Sequence, residues 1–172
     1  MSNYHLIKPY SISDGIGVRV SIFLSGCQWH CKNCQNPMTW DKDSGKEFTD
    51  DILEELYSKA NHPYINGITI TGGDPLFESN LETSEKIINM VRDRLSDKDI
   101  WMYTGFKLED LKNSNDIRRL NIVNKLDVLV DGPFIEELRD ITYPYAGSTN
   151  QNIIDIKNGC IPFDRNKYYL RS

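Results

Sequence analysis

The chain has 172 residues, of which 39% are hydrophobic and 26% charged, a balance typical of a globular domain. Its 20 basic and 25 acidic side chains leave a net charge of -5, which argues against a nucleic-acid partner. The N-terminus lacks the apolar core of a signal peptide, and no segment approaches the roughly 20 apolar residues of a membrane span. We therefore expect a cytoplasmic protein with no membrane partner, folded as a single domain over residues 1–172.

Four segments rich in β-branched and aromatic residues predict strands, and a weaker fifth follows them. They are residues 18–26, 67–73, 99–105, 126–132 and, as the weaker candidate, 152–156.

Helical patterns lie between these strands. The first covers residues 48–60, with Thr49 as N-cap, the second covers residues 80–95, and an interrupted one covers residues 107–123. The alternation predicts an α/β fold with a parallel sheet. A complete β/α barrel usually needs about 250 residues, so we expect a partial, open barrel with about five or six parallel strands.

Each of the four main predicted strands ends in glycine, in the sequences "SGC", "TGGD", "YTG" and "VDG". The carboxyl ends of parallel strands lie at one edge of a sheet, where β/α barrels place their chemistry. Glycine at these ends permits sharp turns or the close approach of a ligand to the backbone.

Three cysteines follow the first predicted strand within "SGCQWHCKNCQNP", namely Cys27, Cys31 and Cys34. Cysteine thiolates are the usual ligands of iron–sulfur clusters. Three ligands on a four-iron cluster leave one iron free to bind a small molecule. Two alternatives remain open: a zinc site that adds His30 or a distant histidine, as part of an interaction module, and a ferredoxin-like electron carrier that takes Cys160 as fourth ligand.

Several segments resemble the glycyl-radical-enzyme activases of the radical S-adenosylmethionine (SAM) superfamily. The CxxxCxxC spacing in "CQWHCKNC" is the superfamily pattern, and "DGIGVR", "GCQWHCKNCQNPMTW" and "TGGDP" are similar to activase segments. "DIWMYTGF", "LDVLVDGPF" and "GSTNQ" resemble the activases that act on anaerobic ribonucleotide reductases. The resemblance covers residues 4–154 and implies a partial barrel of the radical SAM type.

This resemblance implies two cofactors, a [4Fe-4S] cluster and SAM. Cys27, Cys31 and Cys34 would hold the cluster, whose open iron would bind SAM. No side chain is assigned a catalytic role, because cluster and SAM carry the chemistry. The expected SAM-binding residues lie at strand ends or in residues 25–37, the segment with the three cysteines, here called the cysteine loop. They are Asn33, Cys34, Gln35, Gly72, Gly73, Asp74, Thr104 and Asp131. For Asp131, capping of the turn before Pro133 is an equal alternative.

The implied partner is the large subunit of an anaerobic ribonucleoside-triphosphate reductase, on which one glycine would become a radical. The residues expected to face that partner are Asp14, Gly15, Gly17 and Arg19. A flavodoxin or a ferredoxin would supply the electron. The alternatives are an activase of another glycyl-radical enzyme, such as pyruvate formate-lyase, and a radical SAM enzyme with a small-molecule substrate.

Overall fold

A computed structural model describes residues 2–164; Met1 and residues 165–172, the ends of the expected single domain, lie outside the described residues. The strands are β1 (Asn3–Ser11), β2 (Arg19–Leu24), β3 (Lys46–Glu47), β4 (Gly67–Gly72), β5 (Asp99–Tyr103), β6 (Val128–Asp131), β7 (Asn152–Asp155) and β8 (Ile161–Pro162). The helices are α1 (Asp50–Ala60), α2 (Leu81–Arg94), α3 (Leu108–Asn113) and α4 (Ile117–Val123).

The strands form one open, mixed sheet of eight strands in the order β3-β1-β2-β4-β5-β6-β7-β8. β2, β4, β5 and β6 are parallel neighbours. β1 and β3 on one side and β7 and β8 on the other pair antiparallel. The α/β class is confirmed, but the expected count of five or six parallel strands is wrong, because only four of the described strands are parallel. The weak fifth candidate is a strand, β7, but it returns beside β6 in the opposite direction.

The two faces of the parallel strands pack differently because side chains alternate along each strand. One face carries aliphatic residues such as Ile22, Ile70 and Met102, which pack with all four helices in the main core. The other face carries Trp101, Val128 and Val130, which are covered by Ile16 of the β1–β2 loop. The helices α1 to α4 therefore lie on one side of the sheet, and loops cover part of the other side.

The ends of the helices follow local sequence signals. Thr49 is the N-cap of α1, as predicted, and its side chain accepts a hydrogen bond from the backbone N–H of Ile52. The interrupted third helical pattern is two helices, α3 and α4. The chain breaks at Asn115, which has a φ of 54°, and Asp116 then caps α4 by accepting from the N–H of Arg119.

β1 was not predicted from the sequence, because it lies near the edge of the sheet and most of its residues are half-buried or exposed. β3 and β8, of two residues each, were also missed. Within residues 2–164, no helix is both long and apolar enough to cross a membrane.

Candidate functional site

A cavity of about 340 Å³ opens at the carboxyl ends of the four parallel strands. Phe23 of β2 lies beside Thr71 of β4 in the parallel register, and both side chains line the cavity together with Tyr103 of β5. Gly72, Gly105 and Gly132 lie at the ends of their strands and also line it. The predicted meeting of the glycine-bearing strand ends is therefore confirmed.

The cysteine loop forms one wall of this cavity, since Cys27, Cys31 and Cys34 all line it. The loop begins directly after β2 and is attached to the turn that follows it. The N–H of Gly26 donates to the carbonyl of Thr39 at 2.7 Å, and the N–H of Cys27 donates to the carbonyl of Trp40 at 3.1 Å. All three cysteines are half-buried free thiols.

Burial raises the pKa of the Cys27 thiol and of the Cys31 thiol. Backbone N–H groups oppose this rise, and the negative charge of Asp74 adds to it. In the metal-free chain these thiols therefore hold their protons at neutral pH. A metal must displace the protons when it binds, which couples its uptake to proton release.

Asp74 lies behind this wall, fully buried between the ends of β4 and β5. Its Oδ1 accepts from the N–H of Leu76 at 2.9 Å and from the hydroxyl of Thr104 at 2.7 Å. Its Oδ2 accepts from Trp29 Nε1 at 2.6 Å and from the N–H of Gly105 at 3.0 Å. Burial raises the pKa of Asp74, and these four donors oppose the rise. The carboxyl group thus joins the cysteine loop to two strand ends.

The chemistry of the donor set fits an iron–sulfur cluster. Cys27, Cys31 and Cys34 are three free thiols on one loop that lines the cavity, and cysteine thiolates are the usual ligands of such clusters. Cys160 lines a separate apolar cavity of about 410 Å³ with Tyr143 and Phe163, away from the cysteine loop.

Comparisons with known proteins agree with this donor set. Residues 13–154 match a family described as a 4Fe-4S single cluster domain. Three curated relatives are named anaerobic ribonucleoside-triphosphate reductase-activating protein. That of Escherichia coli strain K12 is 36% identical over 151 residues, covering 87% of this chain and 96% of the relative. That of Enterobacteria phage T4 is 37% identical over 151 residues, covering 88% and 92%. That of Vibrio cholerae is 35% identical over 153 residues, covering 88% and 96%.

The chain belongs to the family of anaerobic ribonucleoside-triphosphate reductase-activating proteins. The resemblance inferred from the motifs is confirmed. The residues that match the 4Fe-4S single cluster domain include the whole cysteine loop.

The residues expected to bind SAM divide into two groups, those that line the cavity and those that do not. Those that line the cavity are Cys34, Gln35, Gly72, Gly73 and Thr104. Those that do not are Asn33, Asp74 and Asp131. Asn33 is exposed in the cysteine loop. Asp131 is buried and accepts from the N–H of Leu108, at the start of α3, and from Asn152 Nδ2. Capping is therefore its observed contact, at α3 rather than before Pro133.

The four residues expected to face the partner differ in exposure and in their contacts. Asp14 lines the cavity. Gly17 is exposed, with a φ of 80°. Gly15 is buried, and a Cβ on it would lie 2.9 Å from both Arg19 and Trp101. Arg19 is fully buried in contact with the sheet, so the expectation that it faces a partner is wrong. A guanidinium group can occupy the first position of the buried strand β2 because it donates to the hydroxyl of Thr69 and to the carbonyls of Ile16 and Ile68.

Several residues that line the cavity were given no role from the sequence, among them Phe134, Tyr103, Tyr145 and Gln151. Tyr103 immediately precedes the predicted Thr104, and burial raises its pKa far above the ordinary value, so it remains a neutral phenol. Gln151 ends the "GSTNQ" segment and organises the β6–β7 connection. Its Oε1 accepts from the N–H of Gly147 at 2.8 Å, and its Nε2 donates to the carbonyl of Gly132 at 3.0 Å.

Proposed function

We propose that this protein activates anaerobic ribonucleoside-triphosphate reductase by generating a glycyl radical on its large subunit. In this proposal, it is a radical SAM oxidoreductase of the cytoplasm that binds a [4Fe-4S] cluster through Cys27, Cys31 and Cys34. The observation that carries the proposal is the placement of these three half-buried thiols along a cavity at the ends of four parallel strands.

Cys27, Cys31 and Cys34 would hold the cluster, and the cluster together with SAM would supply the one-electron chemistry that removes a hydrogen atom from the partner's glycine. The protein's own contribution is binding, orientation and exclusion of water. A volume of about 340 Å³ lies in the range of small-molecule sites. Gly72 and Gly73 line the cavity, and in this proposal they contact the methionine part of SAM.

Aromatic side chains surround the space in which SAM would lie. Phe23, Tyr103, Phe134 and Tyr145 line the cavity. Their apolar surfaces limit the entry of water, which protects a reactive radical from side reactions. Because Tyr103 remains protonated at neutral pH, it brings no charge near the sulfonium.

The open sheet supports a macromolecular substrate. We infer a partial barrel of the radical SAM type, in which a loop of the reductase carries the target glycine to the cavity rim and completes its wall. Asp14 lines the cavity from the β1–β2 loop, a position suited to contact such a loop. A flavodoxin or a ferredoxin would deliver the electron, since simple clusters of this kind have potentials of about -400 mV or lower.

Electron paramagnetic resonance tests the proposal. The reconstituted protein is incubated without oxygen with SAM, a reductant and the purified large subunit of the reductase. We expect a glycyl radical doublet that requires SAM and disappears in the Cys31→Ser variant. A doublet formed only on pyruvate formate-lyase in a parallel incubation would identify that enzyme as the partner. The absence of a doublet on either target would contradict the proposal.

A further inference from the structure

The side chain of Trp29 connects the cysteine loop to the sheet. Trp29 lies midway between Cys27 and Cys31, and its indole occupies a slot between the ends of β4 and β5. Nε1 donates to Asp74 Oδ2 at 2.6 Å, and the ring meets Phe106 edge to face, with 5.2 Å between ring centroids. The indole therefore makes both a polar and an apolar contact with the strand ends.

The slot closes tightly around this indole at Gly105. A Cβ placed on Gly105 would lie 2.4 Å from Trp29 Nε1 and 2.5 Å from its Cδ1. Atoms at such distances overlap, so any larger residue at position 105 must displace the indole. Gly105, which follows β5, therefore makes room for the Trp29 indole of the cysteine loop and also lines the cavity.

The Asp74 end of this contact is rigid. The carboxyl group is fully buried and accepts four hydrogen bonds. The backbone N–H of Asp74 also donates to the carbonyl of Gly26, directly before Cys27, at 2.8 Å. Asn80 Nδ2 donates to the carbonyl of Asp74 at 2.9 Å. The residue therefore holds the start of the cysteine loop through its backbone and the middle of the loop through its side chain.

We propose that Asp74 and Trp29 are positioning residues that fix the conformation of residues 27–31 of the cysteine loop before the cluster binds. The inference rests on the proposed function in one respect: it takes the three cysteines as cluster ligands. Residues that orient metal ligands without binding the metal themselves typically contribute 10- to 100-fold to metal affinity. Asp74 would then act through the loop that carries the thiols, without contacting SAM.

The test compares two tryptophans of this region. Trp29→Phe keeps an aromatic ring against Phe106 and removes the N–H that Asp74 accepts. Trp40→Phe is the matched control, because Trp40 Nε1 is buried and has no hydrogen-bond partner among the described residues. Trp40 also lines the cavity and stacks on His30, with 4.7 Å between ring centroids. Both variants lose the same atoms, but only one loses a hydrogen bond.

Two measurements on each variant need neither SAM nor the reductase. The first is the rate at which the reconstituted protein releases iron to a chelator, and the second is amide hydrogen exchange over residues 27–34 of the metal-free chain. We expect Trp29→Phe to release iron about 10-fold faster or more and to exchange faster in the loop, with Trp40→Phe close to the unchanged protein. The resonance of the reduced cluster should also shift in Trp29→Phe, which a general loss of stability does not produce.

Gly105→Ala provides an independent perturbation, because it changes neither tryptophan in the sequence but displaces the Trp29 indole from the slot. We expect it to match Trp29→Phe in iron release and loop exchange. Unchanged release in Trp29→Phe, equal effects in Trp29→Phe and Trp40→Phe, or unchanged loop exchange in Gly105→Ala would each overturn the inference. A protein that retains its cluster in this pattern but never activates a reductase would refute the proposed function and leave the positioning role standing.

Discussion

Replacement of Arg19 by methionine removes a buried cation that joins the β1–β2 loop to the sheet. Its guanidinium donates to Thr69 Oγ1 at 2.8 Å, to the carbonyl of Ile16 at 2.9 Å and to the carbonyl of Ile68 at 3.0 Å. It also pairs with Asp99. Methionine keeps much of the aliphatic volume and none of these donors.

The expected loss of stability follows from burial. Breaking a buried ion pair by removing one partner costs about 3–5 kcal/mol. The Arg19 side chain is fully buried and that of Asp99 is 20% exposed, so water can partly solvate the remaining carboxylate and the cost lies near the lower end, about 3 kcal/mol. With a urea dependence of about 2 kcal/mol per molar, the unfolding midpoint should fall by about 1.5 M.

Urea unfolding of the metal-free chain, followed by circular dichroism, measures this shift. Arg118→Met is the matched control: the Arg118 side chain is 51% exposed and pairs with Glu85 at 3.1 Å, and such surface pairs contribute at most about 1 kcal/mol. If Arg19→Met unfolded at the same urea concentration as the unchanged protein but bound the reductase more weakly, Arg19 would face the partner and the structural role argued for it would be refuted.

Further predictions concern the isolated cysteine and two helix caps. Cys160→Ser should keep the iron content of the reconstituted protein, whereas Cys31→Ser should lose most of it; loss of iron in Cys160→Ser would favour a ferredoxin-like carrier. Thr49→Ala removes the α1 cap and should lower the free energy of unfolding by about 1 kcal/mol, measured in urea; no change would mean that the cap is dispensable. Burial raises the pKa of Asp116, but the hydrogen bonds and charge of Arg119 outweigh it and hold the pKa below its ordinary value. A lowered pKa in the folded state means that the carboxylate stabilises the fold above its unfolded pKa and stops doing so as the pH falls through the folded value. Asp116→Ala should therefore destabilise the protein by about 1 kcal/mol at neutral pH and much less near pH 2; an equal effect at both pH values would contradict this.

The four parallel strands could be predicted because they are buried on both faces and rich in β-branched, aliphatic and aromatic residues. β1 has no such signal, since most of its residues are half-buried or exposed. The direction of β7 could not be predicted either, because the "NIIDI" segment is equally apolar in both orientations. Direction depends on the β6–β7 connection, whose path Gln151 and Asn150 fix by bonding the carbonyls of Gly132 and Pro133.

In the site, too, features that depend on residue spacing could be predicted, whereas features that depend on tertiary contacts could not. The cysteine spacing and the glycines at strand ends identified one wall and the rim of the cavity. The acidic side chains were harder to interpret, because a carboxylate after a strand can contact a ligand or backbone N–H groups. Asp74 and Asp131 both accept hydrogen bonds from the protein itself. Arg19 was misread for a similar reason, since its partners lie on β4 and β5, far away in the sequence.

In the proposed function, three thiolates leave one iron of the cluster available to SAM. The electron paramagnetic resonance spectrum of the reduced, reconstituted protein, recorded before and after SAM is added, tests this most directly. We expect about four irons per chain and a spectrum that changes on addition of SAM. A cluster whose spectrum is identical with and without SAM, or a chain that binds one zinc in place of a cluster, would contradict it.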